Sequence, residues 1–179
     1  MLLRPGAVLE GENWAFELKW DGFRAIVSTE DDLRVRSRRG WNMTEHVSEL
    51  EALPRGLVLD GELVALNDQG GPHWPRLCER VLHGNRSIAV TFVAFDVLRV
   101  DGRAVMCNPW SERRALLEEL GVERPCVRLA DVFDDGHALY NAVCEHGLEG
   151  IVAEKRSGLY RPGYRGWTKV KNPRYWRRQ

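Results

Sequence analysis

Eight short runs of strand character recur along this chain: Trp14 to Trp20, Phe23 to Ser28, Leu33 to Ser37, Leu57 to Leu66, Ile88 to Leu98, Cys126 to Leu129, Leu148 to Lys155 and Trp167 to Lys171. Turn-forming segments such as Asp31-Asp32, Asn67 to Gly71 and Asp101-Gly102 separate them. The sheet content is therefore expected to be mostly antiparallel. Helical spacing is confined to four stretches. They are Thr44 to Leu53 with Thr44 as N-cap, Trp74 to Leu82, Ser111 to Leu120 with Ser111 as cap and Gly121 as stop, and Gly136 to Glu145 behind Asp134 or Asp135. Strands and helices interleave without a βαβ rhythm, which points to an α+β fold of antiparallel sheets flanked by helices. No repeat or Ser/Gly/Pro linker interrupts the 179 residues, so one continuous domain is expected.

Composition narrows the class further. With 44% hydrophobic residues the chain can build a core. Its most apolar stretch, Ala89 to Phe95, falls far short of the roughly 20 residues that a bilayer span requires. The N-terminus has no apolar stretch resembling a secretion signal, and a cytoplasmic location is expected. The four cysteines lie 29, 19 and 18 residues apart with no C-x-x-C pair, so free thiols are expected. Zero net charge hides a segregation. From Lys155 onward there are nine basic residues and no acid, against 17 basic and 26 acidic before it. Such a footprint suits a surface that meets phosphates, and equally a solvated basic tail.

Chemistry concentrates in Glu17-Leu18-Lys19-Trp20-Asp21-Gly22-Phe23-Arg24. Side chains alternate in a strand, so Glu17, Lys19 and Asp21 share one face, and Phe16, Leu18 and Trp20 the other. A salt-bridged edge strand would look the same. Three further segments tilt the reading: Asp60 and Glu62 on one face of an apolar run, Glu149-Gly150 ahead of Ile151-Val152, and Lys169 with Lys171 on a common side. A polar site with both charge signs suits a nucleotide and a divalent metal. Lysines would meet phosphates, carboxylates the metal and ribose hydroxyls, and glycines would stand where backbone comes close.

The ordered series resembles the adenylation (nucleotidyltransferase) domain of ATP-dependent DNA ligases, and is most similar to the bacterial, chiefly actinobacterial, type. The family's K-x-D-G-x-R reads as Lys19 to Arg24, S-R-x-G as Ser37 to Gly40, and D-G-E as Asp60 to Glu62. F-D-x-L reads as Phe95 to Leu98, E-G as Glu149-Gly150, and the terminal K-x-K as Lys169 to Lys171. The resemblance covers about Pro5 to Tyr175 of an adenylation domain spanning residues 1–179, with 172–179 as a basic C-terminal tail. It implies the nucleotidyltransferase (ATP-grasp-like) fold, ATP and Mg2+ or Mn2+ as cofactors, and nicked duplex DNA as partner to a monomer.

Residue by residue, the resemblance implies that Lys19 attacks the α-phosphate of ATP and becomes a lysyl-AMP. An ordinary lysine, with a pKa near 10.4, is protonated at neutral pH, so metal and the nearby Lys169 and Lys171 are expected to lower it. Glu17 would accept from the adenine amino group, Glu62 would bind a ribose hydroxyl, and Phe95 would stack on the purine. Arg24 and Arg38 would position phosphates, Arg38 the 5′-phosphate of the nick. Glu149 would hold the metal, supported by Asp21 and Asp60, while Lys169 and Lys171 would hold the α-phosphate.

Two departures stand out. Where the family carries a base five residues after the acid of E-G, this chain has Glu154; alternation would place Lys155 instead on the face of Glu149, so the basic role is expected either to pass to Lys155 or to be lost. After Lys171 only residues 172–179 follow, too few for the C-terminal OB-fold domain of such ligases, so a separate OB-fold domain or a repair or end-joining protein is the expected complement. RNA ligases and capping-type guanylyltransferases share the lysine signature, and a non-catalytic nucleic-acid-binding module would keep the fold without the reaction.

Overall fold

The computed structural model describes residues 1–176, so the end of the expected basic tail, Arg177 to Gln179, lies outside the described residues. The chain forms two compact units, each interrupted in sequence. The first comprises Met1–Trp20, Met106–Glu112 and residues 130–176, and the second Asp21–Val105 and Arg113–Leu129. The sequence reads as one stretch because the chain passes from unit to unit at Trp20-Asp21, at Val105-Met106, within a helix and at Leu129-Ala130, none of which carries a linker signature.

The first unit holds strands β1 (Leu3–Pro5) and β2 (Trp14–Leu18), and the second opens with β3 (Phe23–Ser28), β4 (Arg34–Ser37) and β5 (Leu57–Val64). Helix α1 (Trp74–Val81) precedes β6 (Thr91–Val100) and β7 (Arg103–Ala104). Then come α2 (Trp110–Glu119), β8 (Val127–Leu129), β9 (Val132–Phe133), α3 (Gly136–Glu145), β10 (Gly150–Lys155) and β11 (Trp167–Lys171). The first unit's sheet runs β1-β11-β10-β2-β9 and the second's β4-β3-β5-β6-β7, with β8 also on β6. All pairings are antiparallel except β1 with β11 and β6 with β8. The α+β expectation therefore holds.

Alternation accounts for the packing of the first unit. Phe16 on β2, Ile151 and Ala153 on β10 and Val170 on β11 form a buried cluster with Leu139 and Val143 of α3. That helix begins where the sequence placed it, with Asp135 Oδ1 accepting from His137 N and Ala138 N as its N-cap. The larger core of the second unit gathers Val27, Val35, Leu50, Leu59, Leu63, Phe92 and Leu117 among others.

Two helical expectations are corrected. Residues 44–53 form two short 3-10 turns, Thr44–His46 and Ser48–Ala52, rather than one α-helix. Val47, Leu50 and Leu53 are all buried, and their three-residue spacing fits the 3.0-residue turn of a 3-10 helix. Thr44 is no cap either: its Oγ1 accepts from Val35 N and donates to Asn42 Oδ1. Ser111 lies inside α2, and its backbone N–H donates to Arg156 O. The four cysteines are free, as expected. Among the described residues no helix is long and apolar enough to cross a membrane.

Candidate active site

Three adjacent strands assemble the lysines. Glu17 on β2 pairs with Val152 on β10, and Val152 with Lys169 on β11. One step along, Lys19 N donates to Gly150 O at 2.9 Å, and Gly150 pairs with Lys171. Paired residues project to the same side of a sheet, so Glu17, Lys19, Lys169 and Lys171 share the face opposite the apolar cluster. The division of β2 into a packing face and a charged face is thus the one that alternation predicts.

Glu149 joins these groups. Its Oε2 accepts from Lys19 Nζ at 2.5 Å, and its Oε1 lies 3.2 Å from Lys171 Nζ. The carboxylate side chain is 4% exposed, that of Lys19 15% and that of Lys171 57%. One buried carboxylate is therefore shared by two ammonium groups that open towards solvent. Its backbone is fixed by Asn172, whose N–H donates to Glu149 O and whose Nδ2 donates to Leu148 O. Burial lowers the pKa of Lys169 below its ordinary 10.5, and the positive charges of Lys171 and Lys19 lower it further, against the opposing pull of Glu149.

Glu154 is buried and pairs with Ala15, which places it on the face of Glu17, whereas exposed Lys155 turns to the other. The expectation that Lys155 takes up the missing basic role on this face is thus corrected. Glu149 reaches Lys19 from a position just ahead of β10, where strand alternation does not yet hold.

In the second unit Arg24 pairs with Glu62, and Ile26 with Asp60, so Arg24, Asp60 and Glu62 share a face of the sheet. Arg24 Nε donates to Asp60 Oδ1 at 2.9 Å and Nη2 to Oδ2 at 2.5 Å. The Arg24 guanidinium carbon also lies 5.7 Å from the centroid of the Phe95 ring. Asp60 is fully buried and Asp21 is 2% exposed. Both oxygens of Asp60 are thus engaged by a fork-to-fork pair, which fixes Arg24 rather than offering a carboxylate to a metal.

Phe95 owes its position to irregular pairing. Asp60 pairs with Asp96 and Gly61 with Ala94, so Phe95 is an extra residue on β6; Leu98 is another, between Val97 opposite Leu59 and Arg99 opposite Val58. The first and last residues of the F-D-x-L series are therefore the two bulged positions, and a bulge re-aims a side chain out of the regular pleat. Between them, Asp96 takes a second fork. Arg113 Nε and Nη2 donate to its two oxygens at 2.7 and 2.8 Å, and both side chains are 1% exposed. Burial raises the Asp96 pKa despite Arg113, and the neighbouring Asp60 charge adds to the rise.

Arg38 lies at the tip of a tight turn. Gly40 N donates to Ser37 O, Trp41 N to Ser37 Oγ and Ser37 N to Trp41 O, with Gly40 at φ 84°. Ser37 and Gly40 build the turn, and Arg38 and Arg39 stand exposed on it.

Three of the motif glycines lie hard against neighbouring protein, whereas Gly40 has open space beside it. A Cβ at Gly22 would lie 2.1 Å from Leu63 O, at Gly61 2.4 Å from the Phe92 ring, and at Gly150 2.2 Å from Val170 O. The space beside each is filled by protein.

Comparison with known proteins agrees with this geometry. Residues 7–171 match the ATP dependent DNA ligase domain family. The multifunctional non-homologous end joining DNA repair protein LigD of Mycobacterium tuberculosis is 37% identical, over 96% of this chain and 24% of its own length. The SPbeta prophage-derived DNA ligase-like protein LigB of Bacillus subtilis is 33% identical, over 92% of this chain and 63% of its own. The chain thus spans about a quarter of the LigD relatives it matches. The solved ligase domain of M. tuberculosis LigD superimposes with a TM-score of 0.82 at 34% identity, covering 95% of this chain and 58% of that one. A mycobacterial DNA ligase D complexed with ATP and MES superimposes with a TM-score of 0.81 at 34% identity, again over 95% and 58%. With its matched region running from residue 7 to the second lysine of β11, the chain belongs to the ATP dependent DNA ligase domain family.

Proposed function

We propose that this chain is the adenylation domain of an ATP-dependent DNA ligase, with Lys19 as the nucleophile. Nζ of Lys19 attacks the α-phosphate of ATP, the bond to the β-phosphate oxygen breaks, and pyrophosphate leaves. AMP remains on nitrogen as a phosphoramidate. AMP then passes to the 5′-phosphate of a DNA nick, and the 3′-hydroxyl displaces it to form a phosphodiester. The observation that carries this reading is the single carboxylate of Glu149 shared by Lys19 and Lys171 on a face that also holds Lys169.

Attack needs a lone pair on Lys19 Nζ, so Lys19 gives a proton to solvent water, the contact with Glu149 opens, and the neutral amine attacks. Lys171, more exposed than Lys19, stays beside the carboxylate and faces incoming phosphate. Lys169 and Lys171 offset the negative charge that grows on the α-phosphate, a contribution of positioning and electrostatics.

The residues fit a divalent metal of the magnesium type. Mg2+ characteristically takes one or two carboxylates and completes its shell with substrate phosphates and water, and Glu149 offers one carboxylate beside two lysines. Glu149 would hold Mg2+ or Mn2+, and the bound metal would supply charge neutralisation at the phosphates. Asp60 and Arg24 form a positioning pair in this reading, with Arg24 steadying Phe95 for the purine. Glu17 and Glu62 keep the adenine and ribose roles, and buried Asp21 a supporting one. The chain works as a monomer in the cytoplasm, and an OB-fold domain or an end-joining protein completes the sealing steps.

Incubation with α-labelled ATP and Mg2+, followed by denaturing mass spectrometry, tests the reading. An added AMP that Lys19→Met abolishes is the expected result. Label taken from GTP instead would support a capping-type enzyme, and no label a non-catalytic module.

A further inference from the structure

We propose that Trp41 is a base-stacking residue that receives an unpaired or terminal nucleotide of the DNA substrate, with Arg38 and Arg39 on the adjoining phosphates. The inference rests on the ligase reading, and concerns how the substrate is chosen rather than how AMP is transferred.

Trp41 is 40% exposed, a large area for an indole on a soluble surface. It is nonetheless held firmly. Phe23 meets it edge to face with centroids 6.2 Å apart, His46 lies 5.8 Å away, and Phe23 is backed in turn by Trp74 at 4.8 Å. Its backbone is closed into the turn by hydrogen bonds with Ser37, and Arg36 Nη1 donates to the preceding Gly40 O at 3.2 Å. A ring fixed in this way pays little conformational entropy when a flat partner settles on it. Earlier in the turn, Arg38 and Arg39 are exposed, and neither forms an ion pair among the described residues. Some other surface arginines do: Arg34 has Asp31, and Arg99 has Glu30.

Two uncommitted guanidinium groups beside a rigid exposed indole match a nucleotide, whose phosphates are anionic and whose base has a π-face. A base inside a continuous duplex is already stacked on both sides and gains nothing from Trp41. A base at a gap, an overhang or a frayed end does gain. The turn therefore favours DNA carrying an exposed base over intact duplex.

The test is fluorescence anisotropy of the purified chain with a gapped duplex and with a continuous duplex of the same length, over a salt series. Trp41→Ala is expected to weaken binding to the gapped duplex by roughly tenfold, within the range that base–aromatic stacking supports. Binding to continuous duplex should stay within about twofold, and Trp41→Phe should restore most of the loss. The salt slope should be unchanged in Trp41→Ala and shallower in Arg38→Ala/Arg39→Ala, because only phosphate contacts release counterions. Trp41→Ala binding gapped duplex as tightly as wild type, or weakening both duplexes equally, would overturn the proposal; the first outcome would give the aromatic face to a protein partner. Unchanged melting of Trp41→Ala separates these results from misfolding. The Lys19 reading fails separately, if wild-type chain takes no AMP from ATP.

Discussion

Two carboxylates, one in each unit, are buried to a similar degree and partnered by cations in opposite ways. Asp96 is gripped by the rigid fork of Arg113, with both oxygens satisfied and both side chains 1% exposed. Glu149 is shared between two lysines, each a point charge on a flexible stem, one 15% and the other 57% exposed. The first arrangement is closed: nothing can enter without breaking a bidentate pair in low dielectric. The second can release one lysine and keep the other on the carboxylate, so that a lysine turns to a phosphate without leaving a buried charge bare. Burial of a charge thus marks structure in one unit and, under the proposed function, chemistry in the other, and the partner's geometry and access tell them apart.

The sharpest way to break this comparison is Lys19→Met. AMP transfer should fall to background, while melting shows a loss of no more than about 2 kcal/mol, because Lys171 stays on Glu149. Arg113→Met should do the reverse, costing about 3–5 kcal/mol in denaturant unfolding by leaving Asp96 buried and unpaired. Asp96→Leu combined with Arg113→Met should recover most of that, because a raised Asp96 pKa shows that burial already opposes the charge. Gly61→Ala should cost about 1–3 kcal/mol, since its methyl meets the Phe92 ring inside van der Waals distance.

The smallest expected effect is the pH dependence carried by Lys169. Its folded pKa is lowered, so the unfolded chain binds that proton more tightly. While the group is charged in both states it opposes folding, and the opposition fades as pH rises from the folded pKa towards 10.5. Lys169→Met should therefore melt above wild type at neutral pH, with the gap closing as pH approaches 10.5. Lys169→Met melting below wild type at neutral pH would show instead that the lysine is held by Glu149 rather than strained by its neighbours.

Much of the site was legible because it depends on alternation. The charged face of β2 and the paired lysines of β11 follow from residue spacing alone, as do the bounds of α3 and β3. The fate of Asp60 was not legible. Spacing put it on a polar face, but only the register between β3 and β5 shows that Arg24 occupies both its oxygens. Glu154 and Lys155 illustrate the same limit: alternation separates them correctly, yet a phase read from Glu149 does not carry into β10, because Glu149 lies ahead of the strand.

Local steric preference and the period of two were written in the chain itself: which segments extend, which side of each is apolar, and that lysines and acids would project together. Tertiary structure alone decided which charge meets which, since Lys19 and Glu149 stand 130 positions apart. It also decided that Gly22, Gly61 and Gly150 make room for neighbouring protein, and that β6 bulges at Phe95 and Leu98. Such outcomes depend on the register between strands distant in sequence, where a shift of one residue reverses every side chain, and no single segment encodes that register.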